Sequence, residues 1–209
     1  MIKAVCFDLD GTLVASERLY LEGNVHAADE LGVALTIKDF LPLSGISDQA
    51  FQIQLDQLIK PAQQPAFVQL TQAFADARIA QPPSLAQPGA NHLLTSLQAH
   101  QLQLALVTTS AAEYTKRMLR NTHWQTVFDV VVSKGQGRTK PAPDLYLTAL
   151  KQLQLPTSEV LAVEDSQVGV QAAQAAGLQC VQVHDLAAMS AQADQHVDNL
   201  LQLEKMILG

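Results

Sequence analysis

AVCFDLDGT, residues 4–12, runs an apolar stretch straight into two carboxylates. Residues 2–7 (IKAVCF) have the length and Val/Phe content of a buried strand. Asp8 and Asp10 then stand two residues apart at its end, where like charges repel and burial is costly. Gly11 permits a sharp turn directly after them. A strand that ends in paired acids needs a compensating cation, drawn from residues elsewhere at the same sheet edge.

Four further apolar runs read as strands: residues 102–107 (LQLALV), 128–132 (FDVVV), 160–163 (VLAV) and 178–183 (LQCVQV). Helix-patterned segments lie between them, at 88–99, 113–119, 145–153 and 167–176, the last stopped by Gly177. Strands alternating with helices predict βαβ units and a parallel sheet covered on both faces, an α/β Rossmann-like core. Residues 16–81 break the alternation. They offer no strand and three helices, at 20–31, 48–59 and 65–80, and QPPS (81–84) and QPG (87–89) read as a linker. The expected organisation is an α/β core from 1–15 and 82–209 with a helical cap inserted at 16–81.

In a parallel sheet, ligands gather beyond the carboxyl ends of the strands. The residues there are Asp8 and Asp10 after the first run, Thr108, Thr109 and Ser110 after the second, Lys140 in TKPAPD beyond the third, and Glu164 and Asp165 at the fourth. Four acids without a histidine or cysteine cluster favour Mg²⁺, which keeps several waters and accepts phosphate oxygens. Asp8 is then the candidate nucleophile toward phosphorus, and Asp10 the candidate acid and base for the leaving oxygen and for water. Thr108 and the backbone N–H groups of Thr109 and Ser110 are suited to phosphate oxygens, and Lys140 supplies positive charge.

These segments resemble the haloacid dehalogenase superfamily: DLDGT after a buried strand, a threonine after the second, KPAPD at 140–144 and VEDSQVGVQAAQAAG at 163–177, in that order. The chain is similar to the phosphatase and β-phosphoglucomutase-like branch with a helical cap. The resemblance implies Asp8 as nucleophile and metal ligand, and Asp10 as general acid/base with its backbone carbonyl on Mg²⁺. It implies Thr108 and Lys140 on phosphate, Asp165 as a metal ligand, and Glu164 as a ligand or an acid behind it. It also implies a cap that closes over the core and selects a small phosphorylated metabolite, a sugar phosphate or similar monoester. Glu17, Tyr20 and Gly45 are the candidate substrate contacts from the cap.

Two departures bear on the reaction. DGTLVASE at 10–17 has Ala15 where relatives carry an acid, and LSGISDQAF at 43–51 has Ser47, Asp48 and Gln49 where mutases carry an arginine. A mutase must grip a second phosphate, so a phosphatase is the leading expectation and a phosphomutase the second. A phospho-accepting signalling module also combines acids, threonine and lysine, but lacks such an insertion, and a cap serving as a protein-binding surface is a further alternative.

The formal net charge of −7 over 209 residues excludes a basic nucleic-acid footprint. No apolar run reaches a membrane span, and the acids come too soon for a signal peptide, so a cytoplasmic location is expected. Cys6 and Cys180 sit in apolar runs and read as free core thiols. The sequence gives no oligomeric state; a monomer is compatible with it.

Overall fold

The computed structural model describes every residue except Gly45, Ser47, Pro82, Pro83 and Ala187, and the side chain of Asp48. Six strands form one parallel sheet: β1 (Ala4–Phe7), β2 (Gln103–Val107), β3 (Val130–Val132), β4 (Val160–Glu164), β5 (Gln179–Val183) and β6 (Gln195–Val197). Their order is β3-β2-β1-β4-β5-β6. β1 is thus central, and the chain reverses direction across the sheet between β1 and β4, the place where such sheets open a crevice. The five expected strands are all present within a residue or two.

Alternation along β1 divides the core. Val5 and Phe7 join Leu104, Leu106, Leu161 and Val163 on one face, while Ala4 and Cys6 join Ala105, Val107, Ala162 and Cys180 on the other. Helices α5 (Ala90–Ala99) and α9 (Leu200–Leu208) cover the first face, with α6 (Ala112–Asn121); α7 (Asp144–Leu153) and α8 (Gln167–Ala175) cover the second. On that second face a row of small residues crosses four strands in register: Ala105, Cys6, Ala162 and Cys180. The row leaves room for Tyr146 of α7, which is completely buried in the same cluster. Both cysteines are free and buried, and burial pushes the Cys6 thiol up to about 12, which keeps it an inert core group.

The insertion consists of α1 (Ser16–Glu30), α2 (Ile37–Phe40), α3 (Asp48–Leu58) and α4 (Gln64–Ile79). It has its own apolar cluster, centred on Leu21, Phe40, Leu55, Ile59 and Phe67. Its root is shared with the sheet: Leu19, Ala75 and Ile79 pack into the cluster under β1 and β2. The incoming and outgoing chains run side by side there, with Ala15 N–H donating to Leu85 O and Gln87 N–H to Leu13 O.

Four elements differ from the expected ones. α1 starts at Ser16 rather than residue 20, because Ser16 is buried and its hydroxyl is bound within the sheet's acidic edge. α2 was not expected; Thr36 and Asp39 cap its four residues reciprocally. β6 and α9 were not expected either. β6 is an edge strand whose sequence, QHV, carries two exposed polar residues and no apolar run. Among the described residues, no helix is long and apolar enough to cross a membrane.

Candidate active site

The register places the expected residues side by side. Phe7 pairs with Leu106 on one side and Val163 on the other, so the carboxyl ends of β1, β2 and β4 are level. Asp8 continues β1 by one residue, its N–H donating to Val163 O. Glu164 ends β4 and Asp165 follows it. Gly11, at φ +82, turns the chain back, and a Cβ there would fall on the Asp165 carboxylate. Residues 4–12 therefore need glycine for two reasons, backbone sign and space.

Lys140 ties the acids together. Its ammonium donates to Asp8 Oδ1 at 2.5 Å and Val107 O at 2.8 Å, and lies 2.6 Å from Glu164 Oε1. It also sits 5.2 Å from the centroid of the Tyr146 ring. Burial alone would lower its pKa, but the charges of Asp8 and Glu164 outweigh burial and raise it, so it remains an ammonium. Asp8 and Asp165 are pushed well up, first by burial; the Lys140 charge opposes this at Asp8, and Asp8 itself adds to it at Asp165. One cation does not neutralise three buried carboxylates.

Oxygens of Asp8, Glu164 and Asp165 lie within 4.8 Å of one another. Glu164 is wholly buried; Oε1 accepts from the Tyr146 hydroxyl, while Oε2 has no hydrogen-bond partner. An unpartnered buried carboxylate oxygen in an all-oxygen donor set is what a hard divalent cation would satisfy. The residues present therefore fit Mg²⁺.

Glu164 is also boxed in by α8. Ser166 caps this helix, its Oγ accepting from Gly169 N–H at 3.1 Å. A Cβ on Gly169 would fall on the Glu164 carboxylate. The Gly169→Ala variant is expected to lose about 3 kcal/mol, because Lys140 and Tyr146 leave Glu164 no room to move. Urea unfolding of the purified variant checks this; an unchanged midpoint would contradict the packing described.

Asp10 points elsewhere. Its carboxylate accepts from Ser16 Oγ and Ser110 Oγ, each at 2.6 Å, and from the Tyr114 hydroxyl at 2.7 Å. Three hydroxyls from α1, α6 and the loop after β2 thus hold it. The Ser110 N–H donates to Thr108 Oγ1 at 3.0 Å rather than standing free, and Thr108 is buried. Thr109 lines the cavity.

That cavity has a volume of about 430 Å³ and runs from Asp8, Asp10, Asp165 and Lys140 into the helical insertion. Glu17 and Tyr20 line it; Gly45 lies outside the described residues. Burial and the nearby Asp10 charge raise the Glu17 carboxyl to about 7, against a bond from Ser44 that lowers it. Tyr146, Tyr114 and Ser16 were not anticipated. They sit on helices, and only packing brings them to the strand ends. Thr12, whose Oγ1 is 3.4 Å from Asp165 Oδ1, could have been found as the hydroxyl adjoining Gly11.

The family profile described as a haloacid dehalogenase-like hydrolase matches residues 5–183. The chain is similar to a phosphorylated carbohydrates phosphatase of Thermotoga maritima, 28% identical over 194 residues, covering 88% of this chain and 87% of that one. It is 29% identical over 214 residues to a validoxylamine A 7′-phosphate phosphatase of Streptomyces hygroscopicus subsp. limoneus, covering 100% and 99%. Among solved structures it is similar to CbbY from Rhodobacter sphaeroides in complex with phosphate, with a TM-score of 0.77, 25% identity, and 97% and 96% of the two chains covered.

Proposed function

This chain belongs to the haloacid dehalogenase-like hydrolases, and we propose from that premise that it is a Mg²⁺-dependent phosphatase of small phosphorylated metabolites, sugar phosphates or similar monoesters. The observation that carries the reading is Asp8: a buried carboxylate at the end of the central strand, one oxygen on Lys140, facing the cavity beside Glu164 and Asp165. Relatives named as phosphatases of phosphorylated compounds support the substrate class.

The residues take these roles. Asp8 attacks the phosphorus through its free oxygen, forming an aspartyl-phosphate as the bond to the leaving alcohol breaks. Lys140, with Thr108 and the N–H of Thr109, holds the phosphoryl oxygens. Asp10 gives a proton to the departing alcohol and later takes one from the water that hydrolyses the aspartyl-phosphate. Its three hydroxyl partners position that carboxylate and must yield as the proton moves. Asp8, Asp165, the Asp10 carbonyl and Glu164, directly or through water, would hold Mg²⁺. The ion supplies positive charge that offsets the clustered carboxylates and the phosphate. Residues 16–81 act as a cap that covers the cavity.

Phosphate release from a panel of phosphorylated metabolites, with Mg²⁺ and with chelator, tests the proposal. Metal-dependent release from related esters is expected; release that is indifferent to chelation would overturn the metal's role.

Stability should carry the same signature. Asp8 and Asp165 have raised pKa values in the folded chain. Between the unfolded value of about 4 and the folded values, the native state holds protons that the unfolded chain releases. Stability of the metal-free protein therefore falls as pH rises through that window. Mg²⁺ is expected to raise the unfolding temperature more at pH 8 than at pH 5; at pH 8 it should add about 2.7 kcal/mol of stability where it exceeds its dissociation constant a hundredfold. Equal Mg²⁺ effects at both pH values in a thermal melt would contradict this.

A further inference from the structure

The cations that line the cavity stand on one of its two walls. Among the described residues that line it, the cations are Lys134 and Lys140, and none of the undescribed residues is a lysine or arginine. Both belong to the sheet side. Lys140 is on Asp8, and the loop carrying Lys134 is tied to the loop after β2, its N–H donating to Ser110 O at 3.0 Å. The opposite wall, from the helical insertion, is built otherwise. Leu43 and Phe51 give it apolar surface, and Asn24, Thr71 and Gln72 give it neutral hydrogen-bonding groups. Thr71 Oγ1 donates to Asn24 Oδ1 at 3.1 Å, which engages the amide oxygen and leaves the amide's N–H donors for another partner. Glu17 is the charged group on this wall.

A phosphoryl group on Asp8 puts the alcohol of the ester against that second wall. A second phosphate or a carboxylate on the alcohol would meet Glu17 and apolar side chains, without a cation to pair it in a partly desolvated space. Hydroxyls would meet Asn24, Gln72 and Glu17 as donors and acceptors. We propose that, within the phosphatase reading on which this rests, the released alcohol is uncharged: the substrate is a monophosphate of a hydroxylated alcohol with an apolar face, and esters bearing a second anionic group are rejected at the cap wall.

Two matched pairs of esters test this: glucose 6-phosphate against glucose 1,6-bisphosphate, and phenyl phosphate against 4-carboxyphenyl phosphate. In each pair that is hydrolysed, kcat/KM is expected to favour the singly charged-group ester by about 30-fold or more. Gln72 is exposed on α4, where its amide donates to Asp76 Oδ1 at 2.8 Å; Gln72→Lys keeps a donor within reach of Asp76 and places a cation on the cap wall. That variant should narrow the preference about tenfold. Equal rates within the pairs, preference for the doubly anionic esters, or an unaltered preference in Gln72→Lys would overturn the inference alone. Release from none of the four, by a folded protein with Mg²⁺, would overturn the phosphatase reading and the inference with it.

Discussion

Replacing Asp8 by asparagine is expected to lower kcat by about 10⁴-fold or more while leaving the fold intact. The carboxylate is the group proposed to bond to phosphorus, and an amide of the same shape is not a nucleophile. Asparagine preserves the side-chain volume at the end of β1, so circular dichroism should match that of the parent. The expected loss lies in turnover rather than in substrate affinity, since Lys140, Thr108 and the cap wall are untouched. A variant that hydrolyses the same ester at the parental rate would remove Asp8 from the mechanism.

Lys140→Met should give the largest loss of stability. Methionine fills much of the lysine stem's space but leaves Asp8 and Glu164 buried without their shared ammonium. The lysine side chain is only 4% exposed, so solvent cannot take its place. Removing one partner of a buried charge network costs about 3–5 kcal/mol. Because protonation can relieve the stranded Asp8 carboxylate, the loss should be greater at pH 8 than at pH 5, the direction set by the raised pKa of Asp8. Urea titrations at the two pH values measure it; equal midpoints for variant and parent at pH 8 would contradict the role given to Lys140.

The contrast between these residues and their neighbours shows what was legible in the chain. Asp8, Glu164 and Asp165 could be read because each stands at or just past the end of an apolar run, and in a parallel sheet such ends converge. Lys140 could be read for its place in KPAPD beyond the third run. Tyr146 could not. Its position depends on the row Ala105, Cys6, Ala162 and Cys180 being in register, which makes a hollow for a ring beneath the sheet. Register between strands far apart in the chain leaves no local trace. Two of the hydroxyls on Asp10 were hidden similarly, since Ser16 and Tyr114 come from separate helices; Ser110 could be read at the strand end, though not as a partner of Asp10.

The same distinction holds for the fold. β1, β2 and β4 are buried on both faces and therefore appear as nearly continuous apolar runs. β6 has one neighbour and two exposed residues out of three, so it carries no such run. α1 begins ahead of its apolar pattern because its first residues, Ser16 and Glu17, are polar. They start the helix in order to face the acidic edge and the cavity rather than solvent. Polar residues drawn inward by a site are misread by any rule that sends polarity outward.

The most direct test is to look for the phosphoryl group on the enzyme. Asp10→Asn should slow hydrolysis of the aspartyl-phosphate, so that it accumulates when the variant is mixed with a substrate and Mg²⁺ and quenched in acid. Peptide mass spectrometry should then find one added phosphoryl group, on Asp8, absent when chelator replaces Mg²⁺. Steady release of phosphate by the parent enzyme, with Asp8 unmodified in both proteins at every quench time, would contradict covalent catalysis at this residue.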